Sequence, residues 1–250
     1  MNHPWHRHLA SCFLKKPLSN PPPHRPKFKA NTFSCTINFS SKEATMLFGD
    51  TGERKKLEQQ ASEEGRLPPG QSLTLKWPVL HAGNVPSVDL STWDFRIDGQ
   101  VEKSVRLTWE EFNHLPQTEI QCDMHCVTRW SRLDNSFEGV LFTEVMKVVS
   151  PKPEAKFALM RGEHGFTANL PLEDLMKPTT IFAFRHDGEP LSAEHGYPVR
   201  LVVPHLYLWK SVKWVRGFAL TAEDMPGFWE EYGYHMYGDP WKEQRFNPEQ

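Results

Sequence analysis

The stretch Trp93-Asp94-Phe95-Arg96-Ile97-Asp98-Gly99, continued by Val101 to Leu107 and then Thr108-Trp109-Glu110-Glu111, decides the fold class. Apolar and polar residues alternate from Trp93 to Ile97, which is the period of a half-buried strand, Asp98-Gly99 is a turn signal, and Val101 to Leu107 alternates again. Thr108 and Glu111 carry the Thr-x-x-Glu spacing of a helix capping box, and Pro116 requires that helix to stop by Leu115. Strand, turn, strand and one short helix set the grain of the chain. Further strands are expected at Thr118 to Asp123, Phe157 to Met160, Thr180 to Phe184 with a turn at Asp187-Gly188, Val199 to Val203 and Lys213 to Leu220. Helical spacing occurs only at Phe142 to Val149 and Leu172 to Met176. Strands outnumber helices and no regular βαβ repeat is visible, so the fold class is α+β, with mixed or antiparallel sheets and short helices.

Composition bounds the rest. With 250 residues, 38% hydrophobic, 24% charged, 16 Phe and 9 Trp, the chain is neither wholly disordered nor a coiled coil. A net charge of −2 gives no global argument for nucleic acid or an acidic membrane surface. That average hides an asymmetry. Met1 to Lys42 contains no Asp or Glu but holds Arg7, Lys15, Lys16, Arg25, Lys27, Lys29 and Lys42, so the remaining 22 of 29 basic residues face all 31 acidic ones. Six prolines between Pro4 and Pro26 block helix propagation there, and this leader reads as disordered. It is compatible with an organelle transit peptide, or with a dispensable tail before a biological start at Met46. Gly49 to Arg66 reads as a solvated, charged segment. Residues 1–66 are thus expected to be a disordered or charged extension, and 67–250 a domain entered at Leu67-Pro68-Pro69-Gly70. No run approaches the ~20 apolar residues of a membrane span. Four cysteines are too few for a disulfide scaffold, so a reducing, cytoplasmic setting is expected, or an organelle if the leader is a transit peptide.

Dinucleotide, P-loop, zinc-protease and serine-hydrolase signatures are missing from the sequence. Two concentrations of reactive residues remain. In Cys122-Asp123-Met124-His125-Cys126-Val127-Thr128-Arg129-Trp130-Ser131, two thiols, a His and an Arg crowd the end of an expected strand. A free thiol is mostly protonated at neutral pH unless a cation or metal favours the anion, and the commoner fate of Cys is a small buried hydrophobe. A Cys122/Cys126 redox pair is an alternative that needs a turn between them, since four residues of extended strand span ~13 Å. The second concentration runs from His195-Gly196-Tyr197-Pro198-Val199-Arg200 to Tyr207-Leu208-Trp209-Lys210-Ser211-Val212-Lys213-Trp214. Arg200 sits in an apolar strand, where a charge needs an anionic partner or a route to water, and Lys210, Ser211 and Lys213 add donors suited to phosphate. A solvated basic face with a structural salt bridge would explain them equally well.

These segments, with Pro78-Val79-Leu80-His81-Ala82-Gly83, Leu107-Thr108-Trp109, Gly139-Val140, Gly233-Tyr234-His235 and Gly238-Asp239-Pro240-Trp241, occur in the order found in the sulfite oxidase family of molybdopterin enzymes. The chain resembles the small single-domain branch of that family from about Leu67 to Phe246. The resemblance implies a sulfite-oxidase-type molybdopterin-binding fold, a molybdenum-molybdopterin cofactor, and Cys126 as the thiolate ligand to the metal. It implies that His195, Arg200, Ser211, Val212 and Lys213 surround the pterin and its phosphate, with Lys210 beside them and His81 and Asn84 approaching from the other side. The implied reaction is two-electron oxygen-atom transfer on a small oxyanion or sulfoxide-type compound. Arg129 leads the substrate-side candidates, followed by His125 and Tyr207. A separate electron-transfer partner is implied because the flanking haem domain of full sulfite oxidases has no counterpart. A binding module that keeps the fold without chemistry is the other open reading.

Overall fold

The computed structural model describes residues 51–247, and the expectation of a disordered leader falls outside them. Two mixed sheets pack face to face, as the pattern of many strands and few short helices requires. The capping-box stretch folds as read. β2 (Asp94–Gly99) pairs antiparallel with β3 (Val105–Thr108), and α2 (Trp109–Asn113) follows with Thr108 Oγ1 accepting from Glu111 N and the Glu111 carboxylate accepting from Thr108 N. The reversal is longer than a two-residue turn, because Val101 leaves the hairpin to bridge Pro151. These strands join β11 (Val215–Thr221), β6 (Phe157–Gly162) and β7 (Thr167–Pro171) in the order β3-β2-β11-β6-β7. The β11·β2 pair is parallel and the others are antiparallel.

The second sheet is organised by β5 (Trp130–Leu141). One edge of β5 pairs with β4 (Gln117–His125), and the other pairs in turn with β1 (Ser72–Leu73) and β8 (Ile181–His186). Beyond β8 lie β10 (Arg200–Val202) and the short β9 (Glu189–Pro190). The sequence reading contains neither β5 nor β7. Asp134, Asn135 and Gly139 look like turn residues inside β5, and they sit where Asp134 has φ of +54° and the register shifts beside Gly139.

Between the sheets Phe95, Phe112, Phe142, Phe182 and Phe218 form one ring-on-ring cluster, all fully buried. At about 2–3 kcal/mol each, these side chains dominate the adhesion of the two layers. Alternation then fixes what the outer face of the second sheet carries. Leu201 points into this core, so its neighbours Arg200 and Val202 face outward, with Cys122, Met124, Phe137 and Ala183.

The segment left outside the domain by composition is not structureless. Thr51–Glu63 forms helix α1, whose Glu58 carboxylate accepts from Leu73 N while Ala61 is buried. Its polarity on most sides hid the narrow seam that docks on β1. No helix of the described residues is long and apolar enough to cross a membrane.

Candidate functional site

Cys126 stands one residue past β4, where the chain turns back into β5. Arg129 N donates to Cys126 O and Cys126 N donates to Trp130 O, which closes a tight loop that requires φ of +71° at Arg129. The thiol is buried, and Thr128 Oγ1 donates to Sγ at 3.1 Å. Burial pushes its pKa up, opposed by hydrogen bonds from Thr128 and the field of Arg245. Gln71 Nε2 holds the Cys126 carbonyl at 3.1 Å, and Arg245 Nη1 holds the Val127 carbonyl at 2.6 Å. His125 is bonded through Nδ1 to Ser131 Oγ, and burial lowers its pKa to about 4, against the pull of Asp123, so a neutral ring forms part of the wall.

Tyr207 belongs to the same corner. Its ring stacks on Trp209 and lies 5.0 Å from the Arg245 guanidinium, and its buried hydroxyl approaches Gln71 without forming a well-aligned hydrogen bond. Arg129 is exposed and makes no ion pair among the described residues, so a structural salt bridge does not account for it. Tyr234 stands close enough to Cys126 that the two anions would repel. Cys122, on the outer face of the sheet, is a separate feature. Burial, then Asp123, pushes its pKa up to about 12, and β4 runs extended through it to His125, leaving no turn to bring it to Cys126. Both thiols are free.

The second concentration also assembles. Arg200 is 3% exposed and has no carboxylate partner: Nη1 donates to His195 O, Nη2 to Ser211 O, and Nε has no acceptor. Full burial lowers its pKa to about 9. Trp77 lies against it at 4.9 Å and stacks on His195 at 4.1 Å. Lys213 Nζ donates to Leu80 O and Glu194 O, which pins the His81 segment beside this cluster, and burial followed by the charge of Arg200 lowers its pKa to about 7. His81 meets the Trp214 ring edge-on, while Asn84 is exposed farther along the same loop. Val212 is buried, and neither Val212 N nor Lys213 N has an acceptor among the described residues. A crowded set of cations and orphaned donors, with only the exposed Glu194 as a nearby acid and no ion pair to Arg200 or Lys213 among the described residues, fits a phosphate-bearing group such as molybdopterin. Those orphaned donors, together with the buried thiol of Cys126, are the fit of this chain to that cofactor.

One expected ligand, Lys210, is corrected, and Ser211 is placed at the loop. The Lys210 ammonium is fully buried and turned into the body, 2.6 Å from Glu230 Oε1, while donating to Asn169 Oδ1, Asn169 O and Met236 O. Four internal partners leave it nothing to offer a phosphate. The Ser211 hydroxyl accepts from Val203 N and its carbonyl accepts from Arg200, which fixes the loop and leaves the Ser211 O–H without an acceptor among the described residues. Sequence reasoning missed Arg245, Gln71, Tyr234 and Trp77. Each reaches the site from a segment with no strand or helix pattern, so periodicity gave no sign of them.

The profile for the oxidoreductase molybdopterin binding domain matches residues 82–229. The uncharacterized oxidoreductase YuiH of Bacillus subtilis (strain 168) is 46% identical over 202 residues, which span 80% of this chain and 98% of YuiH. The protein-methionine-sulfoxide reductase catalytic subunit MsrP of Campylobacter jejuni is 26% identical over 163 residues, covering 58% of this chain and 54% of MsrP. Among solved structures, the sulfane dehydrogenase SoxCD of Paracoccus pantotrophus superposes with a TM-score of 0.53 at 25% identity, over 57% of this chain and 41% of that one. Nearly all of YuiH is thus spanned, but only about half of MsrP and less of SoxCD.

Proposed function

The chain belongs to the oxidoreductase molybdopterin binding domain family, the sulfite-oxidase-like molybdenum enzymes, and from that premise we propose that it catalyses oxygen-atom transfer with Cys126 as the protein ligand to molybdenum. The observation that carries this reading is the buried Cys126 thiol, held on a fixed loop beside unpaired Tyr207 and Arg245 donors. When bound, molybdenum-molybdopterin supplies two-electron redox chemistry coupled to transfer of an oxygen atom.

The chain's own residues do the rest. A soft thiolate suits a sulfur-rich metal centre, and coordination keeps Cys126 deprotonated despite the burial that raises its intrinsic pKa. Arg200, His195, Lys213 and the N–H groups of Val212 and Lys213 hold the pterin phosphate, with the His81–Asn84 loop along its other side. Arg129 and Tyr207 face the substrate, a small oxygenated sulfur or nitrogen compound of oxyanion or sulfoxide type, and His125 supports them from the wall. MsrP, named for a sulfoxide-reducing activity as a catalytic subunit, supports both that substrate class and a separate electron-transfer partner. Elemental and pterin analysis of protein purified from cofactor-replete cells tests the proposal. About one molybdenum and one molybdopterin per chain are expected, and matured protein with neither overturns it.

A further inference from the structure

The loop that carries Cys126 is clamped at both ends by one short segment. The Cys126 carbonyl accepts from Arg129 N at 3.0 Å within the loop and from Gln71 Nε2 at 3.1 Å outside it, while Ser72 N donates to Arg129 O at 3.0 Å. Gln71 is 8% exposed. It stands at the start of β1, which pairs parallel with Trp130 and Ser131 and is tied to helix α1 where Leu73 N donates to Glu58. Thr51 to Leu73 thus grips the Cys126 loop from outside residues 82–229, the part matched by the family profile.

The same amide fixes where a proton sits. A buried carbonyl needs a donor, so Gln71 presents Nε2 to Cys126 and turns Oε1 the other way, where Ser131 Oγ lies at 3.5 Å. The Ser131 hydroxyl has a single proton. Given to Gln71 Oε1, it leaves Oγ an acceptor, so His125 Nδ1, at 2.8 Å, is the donor and the neutral ring keeps its lone pair on Nε2. The Tyr207 hydroxyl approaches the same amide.

We propose that Gln71 is a positioning residue of the metal corner. Through the Cys126 carbonyl it sets the direction in which the thiol faces the metal, and through Ser131 it sets the tautomer of His125. This rests on the reading of Cys126 as the protein ligand. Gln71 acts through these neighbours and does not itself touch the reacting atoms.

Gln71→Met keeps the length and bulk of the side chain and removes both amide bonds. Two readouts other than turnover follow it. Electron paramagnetic resonance of dithionite-reduced holoenzyme reports how the thiolate is oriented about the metal, and nitrogen NMR of the His125 ring, assigned against His125→Gln, reports which nitrogen carries the proton. The wild type is expected to give one molybdenum(V) signal and a protonated Nδ1. In Gln71→Met, at unchanged molybdenum and pterin content, the signal is expected to shift or split, the ring resonances to move, and kcat to fall about tenfold with KM within about twofold. A metal-loaded Gln71→Met protein with the wild-type signal, or with wild-type His125 resonances, overturns the proposal. Should that variant lose its fold or its metal, Gln71→Glu decides the matter, because it matches the amide in shape and sets a carboxylate oxygen against the Cys126 carbonyl; an unshifted signal there overturns the proposal. Wild-type protein without molybdenum refutes the cofactor reading alone. The His125 resonances of metal-free protein then decide the bonding of Gln71, and an Nδ1 that carries no proton, or one indifferent to Gln71→Met, overturns it.

Discussion

Lys210→Met removes one partner of a buried ion pair while nearly preserving volume. In the wild type Nζ lies 2.6 Å from Glu230 Oε1 with both side chains fully buried. After the change Glu230 keeps a hydrogen bond from Trp209 Nε1 at 2.8 Å, but its Oε2 already lacks a partner. Stranding a buried carboxylate in this way costs about 3–5 kcal/mol, or about 6–20 °C in Tm for a domain of this size. The double variant Lys210→Met/Glu230→Leu removes both charges of the pair and should recover part of the loss, short of about 1 kcal/mol or more for each buried group left unpaired, the Trp209 N–H and Asn169 Oδ1. Urea denaturation of the wild type and three variants gives the coupling energy directly. A single variant within about 1 kcal/mol of wild type, or a double variant worse than Lys210→Met, refutes the assignment of Lys210 to the body of the protein.

Asp94 takes bonds from Arg96, Arg106 and Arg216, which outweigh the opposing effect of burial and hold its carboxyl below the usual range. A depressed folded-state pKa means stability present above about pH 4 and lost as pH falls, so Asp94→Asn should cost about 2 kcal/mol at pH 7, with the gap closing in acid denaturation series. His186 has its pKa lowered to about 4, chiefly by burial against the pull of Asp187. The unfolded chain therefore binds the extra proton between about pH 6.5 and 4, and stability should fall with acid across that window, a slope that His186→Gln flattens in urea titrations. Gly217 has φ of +138° and a Cβ there would lie 1.8 Å from Arg96 O in the parallel β11·β2 pair. Gly217→Ala should cost at least about 3 kcal/mol by thermal denaturation, and a silent change would contradict the register.

How far the sequence could be read follows from where its information is local. The capping box at Thr108 and the alternation in β2 depend on neighbours in the chain, and both appear as expected. β5 depends on its partners: its Asp134, Asn135 and Gly139 are turn-like alone, but β4 and β8 hold them in a sheet. At the site, Arg200 was legible because a charge in an apolar strand demands an explanation. Lys210 carries the same kind of charge three residues after Tyr207, and only the fold shows that Glu230 answers it from within. Arg245 was illegible for the converse reason. It lies in a polar tail where an Arg is unremarkable until 94% of its surface is seen to be covered, which the 6% exposure records.

The central claim is that Cys126 sulfur is bonded to molybdenum, and molybdenum-edge X-ray absorption on metal-loaded wild type and Cys126→Ser tests it most directly. One sulfur fewer around the metal in the variant, with the fold and pterin content unchanged, is the result this account predicts. An identical sulfur count in the two proteins would contradict it.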